Sequence, residues 1–228
     1  MGKSIMAIHP KGFLDEVAEF RSDRLKIISD NKPITLEVGP RAVLHLVPIE
    51  AFDPTHTVDL DAIDQPLRPL FIGGAVRFNF DGMLTFAEGI NSIRSYVQIF
   101  HNGVIEAVYV FKNSNDKKTI PSTALERNLI EATGSYLRAQ QALAVKPPIA
   151  CLLTLLDVEG FWLAVGETGL GCTQNPIDRD ILLFPVKLFE SFDVRVDQEL
   201  RQIFNRLWNA AGFRACVHYD EQERWSDD

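Results

Sequence analysis

Cysteine is scarce in this 228-residue chain, occurring only as Cys151, Cys172 and Cys216. An odd, widely spaced set excludes a disulfide framework and fits buried or idle thiols in a reducing compartment, so a cytoplasmic location is expected. Neither a Cys-x-x-Cys nor a His-x-x-x-His pairing occurs, and the common metal-ligand spacings are therefore missing. Long apolar runs are missing too. Met1 to His9 is too short and too weakly apolar for a signal sequence, and no later stretch reaches the roughly 18 uncharged residues of a membrane span. Basic runs are equally absent. With 31 acidic against 23 basic residues and a formal charge of −8, direct nucleic-acid binding is not expected, because such affinity comes from clustered Lys and Arg.

What is abundant is apolar side chain, 46% of the residues, enough for a large core. The expected organisation is one α+β domain over 1–228. It has an N-terminal helix within 1–33, a β-meander over 34–120 and a helix-strands-helix half over 121–228. Phe13, Val17, Phe20 and Ile27 or Ile28 recur at helical period until Asn31-Lys32-Pro33 stops them. Arg41 to Ile49 reads as a strand, and Glu50 to Pro69, with three prolines and four aspartates, as irregular chain. Asp81-Gly82 and His101-Asn102-Gly103 each sit between apolar alternating segments, which predicts two successive hairpins.

Thr123 followed three residues later by Glu126 has the pattern of a capping box, opening a helix whose stripe is Leu125, Leu129, Ala132, Tyr136 and Leu143. Ile149 to Val158 is unbroken enough to be a central strand covered on both faces. Phe161 to Val165, a glycine-rich loop from Gly166 to Pro176, and a strand over Ile181 to Phe189 follow. From an Asp197 cap, Leu200, Ile203, Phe204, Leu207, Trp208 and Ala211 draw a last helix ending at Gly212, and Cys216 to Trp225 closes the chain as a strand or hairpin. Helices and strands that do not alternate one by one favour α+β with a mainly antiparallel sheet and three principal helices.

Candidate chemistry is sparse. His45, inside an apolar strand, reads as a core histidine satisfied by backbone more readily than as a catalytic imidazole. Asn79 and Asp81 at a hairpin mouth could hold a cation or a hydroxyl, although turn chemistry already accounts for Asp81-Gly82. Cys216 and His218, two apart on an extended segment, fall on one face with Asp220 within reach, a trio that would serve as nucleophile, base and orienter or as metal ligands. Against this stands the common role of a free cysteine as a small hydrophobe. Gly166 to Gly171 lacks the Lys-Ser or Lys-Thr of a phosphate loop, and Gly73-Gly74 reads as a turn or bulge. Asp30-Asn31-Lys32, an acidic-x-Lys match of the kind a metal-dependent nuclease carries on a strand, falls at a helix end. Trp162, Trp208 and Trp225 read as core packing in the absence of a basic groove. No cofactor and no bound metal are expected.

Several segments together resemble one family. They are Phe20-Arg21-Ser22-Asp23-Arg24-Leu25, Arg41 to Pro48, Arg77-Phe78-Asn79-Phe80-Asp81-Gly82, and Tyr96 to Glu106, continued by Pro147-Pro148, Gly160, Pro185, Leu207-Trp208 and Gly212-Phe213. They resemble the C-terminal region of bacterial ATP-binding or helix-turn-helix proteins whose N-terminal half is a Schlafen-related, Alba-like domain. Nucleotide or nucleic-acid binding belongs to that N-terminal domain, which these residues do not contain. The resemblance thus implies a companion or regulatory domain that docks on a protein partner or on itself, with no catalytic activity of its own and a bearing on bacterial nucleic-acid processing or defence. Two alternatives remain open: a hydrolase or nuclease-like enzyme using His45, Asp81, Cys216 or His218, and nucleic-acid association through a separate Alba-like partner.

Overall fold

A computed structural model describes residues 11–32, 34–71, 73–88, 92–112, 118–165, 171–172 and 175–226. The chain divides into two compact units, Met1–Thr35 and Leu36–Asp228. The first holds helix α1, Lys11–Ser29, with Lys26 placed favourably against the negative end of the helix dipole. Its end is written locally: Asn31 takes a left-handed φ of 55°, and the Lys32 N–H reaches back to the Ile27 carbonyl, a Schellman closure with asparagine in place of glycine. Pro33, the expected stop, lies outside the described residues.

The second unit is built on one antiparallel eight-stranded sheet of the α+β class. Its strands are β1 (Arg41–Pro48), β2 (Ala75–Asn79), β3 (Gly82–Glu88), β4 (Ile93–Phe100), β5 (Ile105–Val110), β7 (Ile149–Leu156), β10 (Leu182–Leu183) and β11 (Lys187–Phe189). The spatial order is β10-β7-β1-β5-β4-β3-β2, with β11 also on β7. Both expected hairpins are present. Gly82 and Gly103 hold φ of 143° and 81°, values that side chains with a Cβ rarely adopt. Sequence alone does not place β1, which lies between β5 and β7 with Leu44 opposite both Ala107 and Leu153. β1 and β7 are buried at every position, as an unbroken apolar run requires.

Side chains alternate across this sheet. Ala42, Leu44 and Leu46, with Cys151, Leu153 and Leu155 beside them, face helices α2 (Ser122–Ala142) and α3 (Val196–Ala210) in one continuous core that takes in Leu125, Leu129, Tyr136, Leu200, Phe204 and Leu207. The 34–120 and 121–228 halves therefore share that core. Gln140 on α2 donates to the carbonyls of Leu46 and Gly103, at 3.1 and 2.9 Å, tying the helix to the sheet. A small second sheet, β6 (Thr119–Pro121), β8 (Trp162–Val165) and β9 (Gly171–Cys172), runs beside the start of α2, and the Ser122 hydroxyl donates to the Ala164 carbonyl at 2.6 Å.

Three local expectations need correction. Ile181 to Phe189 is not one strand but β10 and β11, because Pro185 between them has no N–H for the ladder. Cys216 to Trp225 is a run of turns with one isolated bridge, Tyr219 to Trp225, since Asp220 closes a tight reversal with Arg224. Arg195, not Asp197, is the residue before α3, and the Asp197 carboxylate accepts from the Arg195 guanidinium instead of capping. Most of the Gly166 to Pro176 loop lies outside the described residues, including every glycine of the phosphate-loop look-alike except Gly171.

At Gly82 an added Cβ would lie 2.1 Å from the Ile99 carbonyl oxygen, whereas at Gly73 it would meet nothing within 4 Å. Urea unfolding is expected to show Gly82→Ala destabilised by at least about 1–2 kcal/mol and Gly73→Ala unchanged within about 0.5 kcal/mol.

Candidate functional site

The cluster with the most chemistry forms where α2, α3 and the C-terminal segment meet. The Ser122 anchor fixes the first turn of α2, and helical spacing then places Thr123 and Glu126 on one buried face. The expected capping box does not form: no side chain caps α2, whose preceding residue is Pro121. Both residues turn inward instead, because polar groups further along the chain need them.

Those groups arrive through α3. Trp208, on its apolar stripe, is fully buried and aims its indole N–H at Glu126 Oε1, 2.7 Å away. Gly212, φ 90°, ends the helix. Asn209 then donates to the carbonyls of Phe213 and Arg214, and the Asn205 side chain accepts the Cys216 N–H at 2.9 Å. The segment is thereby laid back along α3. Cys216 Sγ comes 3.3 Å from Glu126 Oε2, and His218 Nδ1 2.8 Å from the same oxygen. The Asp220 reversal brings Trp225 round to donate its indole N–H to that oxygen at 2.6 Å. His218 Nε2 meets the Thr123 hydroxyl at 3.3 Å, and the imidazole lies edge-on between the rings of Trp208 and Trp225.

Glu126 is therefore a fully buried carboxylate facing two indoles, a thiol and an imidazole. Among the described residues no lysine or arginine contacts it. Burial, and then the negative charge of Glu126, push the Cys216 thiol well above its ordinary range, while the His218 backbone acts weakly the other way. The thiol stays protonated and donates. A nucleophilic cysteine needs the opposite setting, an electropositive and partly exposed one. A groove of about 670 Å³, lined by Asp178, Arg179, Leu183 and Arg206 among others, contains none of these groups.

The remaining sequence candidates are dispersed. His45 is buried, as a core histidine should be, yet the partner of its Nε2 is a side chain the sequence did not suggest, the Glu106 carboxylate 2.9 Å away. Tyr96 donates to the other Glu106 oxygen at 2.8 Å. This network sits on the face of β1 opposite Leu44 and Leu46, whereas Cys216 belongs to the core those leucines join. Asp81 is a turn residue whose N–H, like that of Gly82, is accepted by the Asn79 side chain. Asp220 does not join Cys216 and His218. Its pKa is lowered, first by the Arg224 backbone N–H, and its carboxylate is spent on the turn.

Glu126 and Thr123 were hidden by their resemblance to a cap, and Trp208 and Trp225 by their suitability as core. One signal was available. Glu126 falls among Leu125, Leu129 and Thr133 on the buried stripe of α2, where an unpartnered carboxylate has no place. No protein-family model matches the chain, and no curated protein gives a significant match.

Replacing Glu126 by Ala strands the buried Trp208, Cys216 and His218 and the half-buried Trp225, and is expected to cost about 3–5 kcal/mol in chemical denaturation, with Glu126→Gln recovering part of the loss. A second outcome follows from the raised thiol. The unfolded chain loses its Cys216 proton near pH 8.5 while the folded chain keeps it, so this contribution to stability is complete below that pH and falls above it by up to about 1.4 kcal/mol per pH unit. Unfolding free energies between pH 8 and 10 should slope less in Cys216→Ser.

Proposed function

We propose that this chain is a protein-interaction domain without catalytic activity of its own, and that β2 is its docking edge. The observation that carries the reading is the exposure of that strand. β2 ends the sheet order, every residue from Ala75 to Phe78 is exposed, and Val76, Phe78 and the adjoining Phe80 are 40%, 63% and 97% open to solvent. Edge strands are normally blunted by charge, proline or cover. Here the one charged residue, Arg77, lies over the Phe86 ring, 5.0 Å from its centroid. Val76 and Phe78 are opposite Thr85 and Met83, so the bare side chains extend the face of the sheet that carries the main core.

The partner this edge fits is a second copy. Antiparallel pairing centred on Phe78 sets Phe78 against Phe78, Val76 against Phe80, and Arg77 against Asn79, with no like charges opposed. The Cys216 thiol, held protonated by burial, and the acidic balance favour docking over chemistry or nucleic-acid contact. A companion region of Schlafen-related, Alba-like-domain proteins would act in the same way, by docking, and a cytoplasmic place fits its free thiols.

Light scattering on the eluting chain, over a range of concentrations, tests the assignment. Wild type should run as a dimer and Phe78→Lys as a folded monomer with unchanged circular dichroism. A monomeric wild type whose β2 amides exchange hydrogen as freely as those of the Phe78→Lys variant would remove the reading.

A further inference from the structure

The Glu126 cluster has an imbalance that its hydrogen bonds leave standing. Among the described residues this fully buried carboxylate has neutral indole and thiol donors and one imidazole around it, and a charge in such a place normally calls for a cation. The three ligating atoms, Glu126 Oε2 on α2 and Cys216 Sγ and His218 Nδ1 on the C-terminal segment, lie within 4.8 Å of one another and are buried, and the regular pairing described for that segment is the isolated Tyr219–Trp225 bridge. We propose that Glu126, Cys216 and His218 bind one divalent transition-metal ion, for which their mixed oxygen, sulfur and nitrogen donors select zinc.

The geometry needs modest adjustment. Tetrahedral zinc with ordinary bond lengths separates its oxygen and nitrogen ligands by about 3.3 Å and its oxygen and sulfur ligands by about 3.5 Å. From Glu126 Oε2 the ring nitrogen and the sulfur are 2.8 and 3.3 Å away, so each moves off that oxygen by about half an ångström or less as an ion enters, and the ring and the sulfur already lie within 4.8 Å of one another. Binding displaces the thiol proton to solvent, and thiolate, carboxylate and divalent cation then sum to zero charge. The surroundings are those of a ligand set already oriented: Thr123 holds the far ring nitrogen of His218, Trp208 holds the other Glu126 oxygen, and Asn205 holds the Cys216 backbone. Trp225, half-buried, covers the site from the solvent side, where an ion and the water completing its coordination would enter. The bound ion clasps the C-terminal segment to α2. This assignment is independent of β2.

Cobalt(II) and zinc(II) added to the metal-stripped chain test it directly. One equivalent of cobalt should give a thiolate-to-metal charge-transfer band and the visible spectrum of tetrahedral cobalt, both displaced by zinc. Cys216→Ser should lose the charge-transfer band and Cys151→Ser keep it. His218→Gln should weaken zinc binding at least about a hundredfold, and Thr123→Val about tenfold. Circular dichroism of each variant separates lost ligation from lost fold, and the wild-type spectrum stands whether or not a variant folds. A wild-type chain that takes up no cobalt, or takes it up without a thiolate band, would overturn the site and leave an imidazole-carboxylate pair.

Discussion

A carboxylate cannot stay in a protein interior unless something replaces the water it gives up. Glu126 meets that condition with donors 82, 90, 92 and 99 residues further along the chain, drawn from α3 and from a segment with almost no regular hydrogen bonding. The start of α2, the stripe of α3 and the last turns of the chain must therefore be in place together. Apolar packing could hold α2 against α3 in several similar registers, whereas four directed bonds to two oxygen atoms tolerate one. Glu106 solves the same problem on the opposite face of the sheet with His45 and Tyr96, so each side of β1 carries one buried acid met by an imidazole and an aromatic donor.

The legible parts of the fold were those written in neighbouring residues. The hairpins follow from glycines needing positive φ, the end of α1 from Asn31, and α3 from an apolar stripe at strict period. Placing β1 between β5 and β7 depends on register with strands 60 and more than 100 residues away, which no local pattern encodes. Of the site, the Cys216 and His218 spacing was readable because two residues on one side of an extended segment can share a target. The target was not, since Thr123 and Glu126 carry a helix-cap pattern, and the pattern alone does not say whether the side chains bond their own backbone or another element.

Reactive groups and accessible surface are separated in this molecule. Cys216, His218, Glu126, His45 and Glu106 are all buried, while Val76 and Phe78 along β2 and the adjoining Phe80 are among the large apolar side chains left exposed, with Val38, Ile181 and Leu183 elsewhere. Enzymes place titratable groups where a substrate can reach them, accepting the instability that exposure brings. Here these five titratable groups lie in the interior, whereas β2 presents backbone and hydrocarbon at the surface.

The position of β1 has a consequence for how the chain comes into being. Synthesis delivers β1 early, and β5 can pair with one of its edges as soon as residue 110 is available. Its other edge waits for β7, which pairs from Ile149 opposite Pro48 to Leu156 opposite Arg41, more than 100 positions downstream. At ribosomal rates of about 5–20 residues per second, that leaves the innermost strand half-zipped for several seconds, with the N–H and C=O groups of one edge unpaired. A nascent chain halted in that interval would present an unpaired edge on an apolar strand at its centre, a natural foothold for chaperones and a hazard without them.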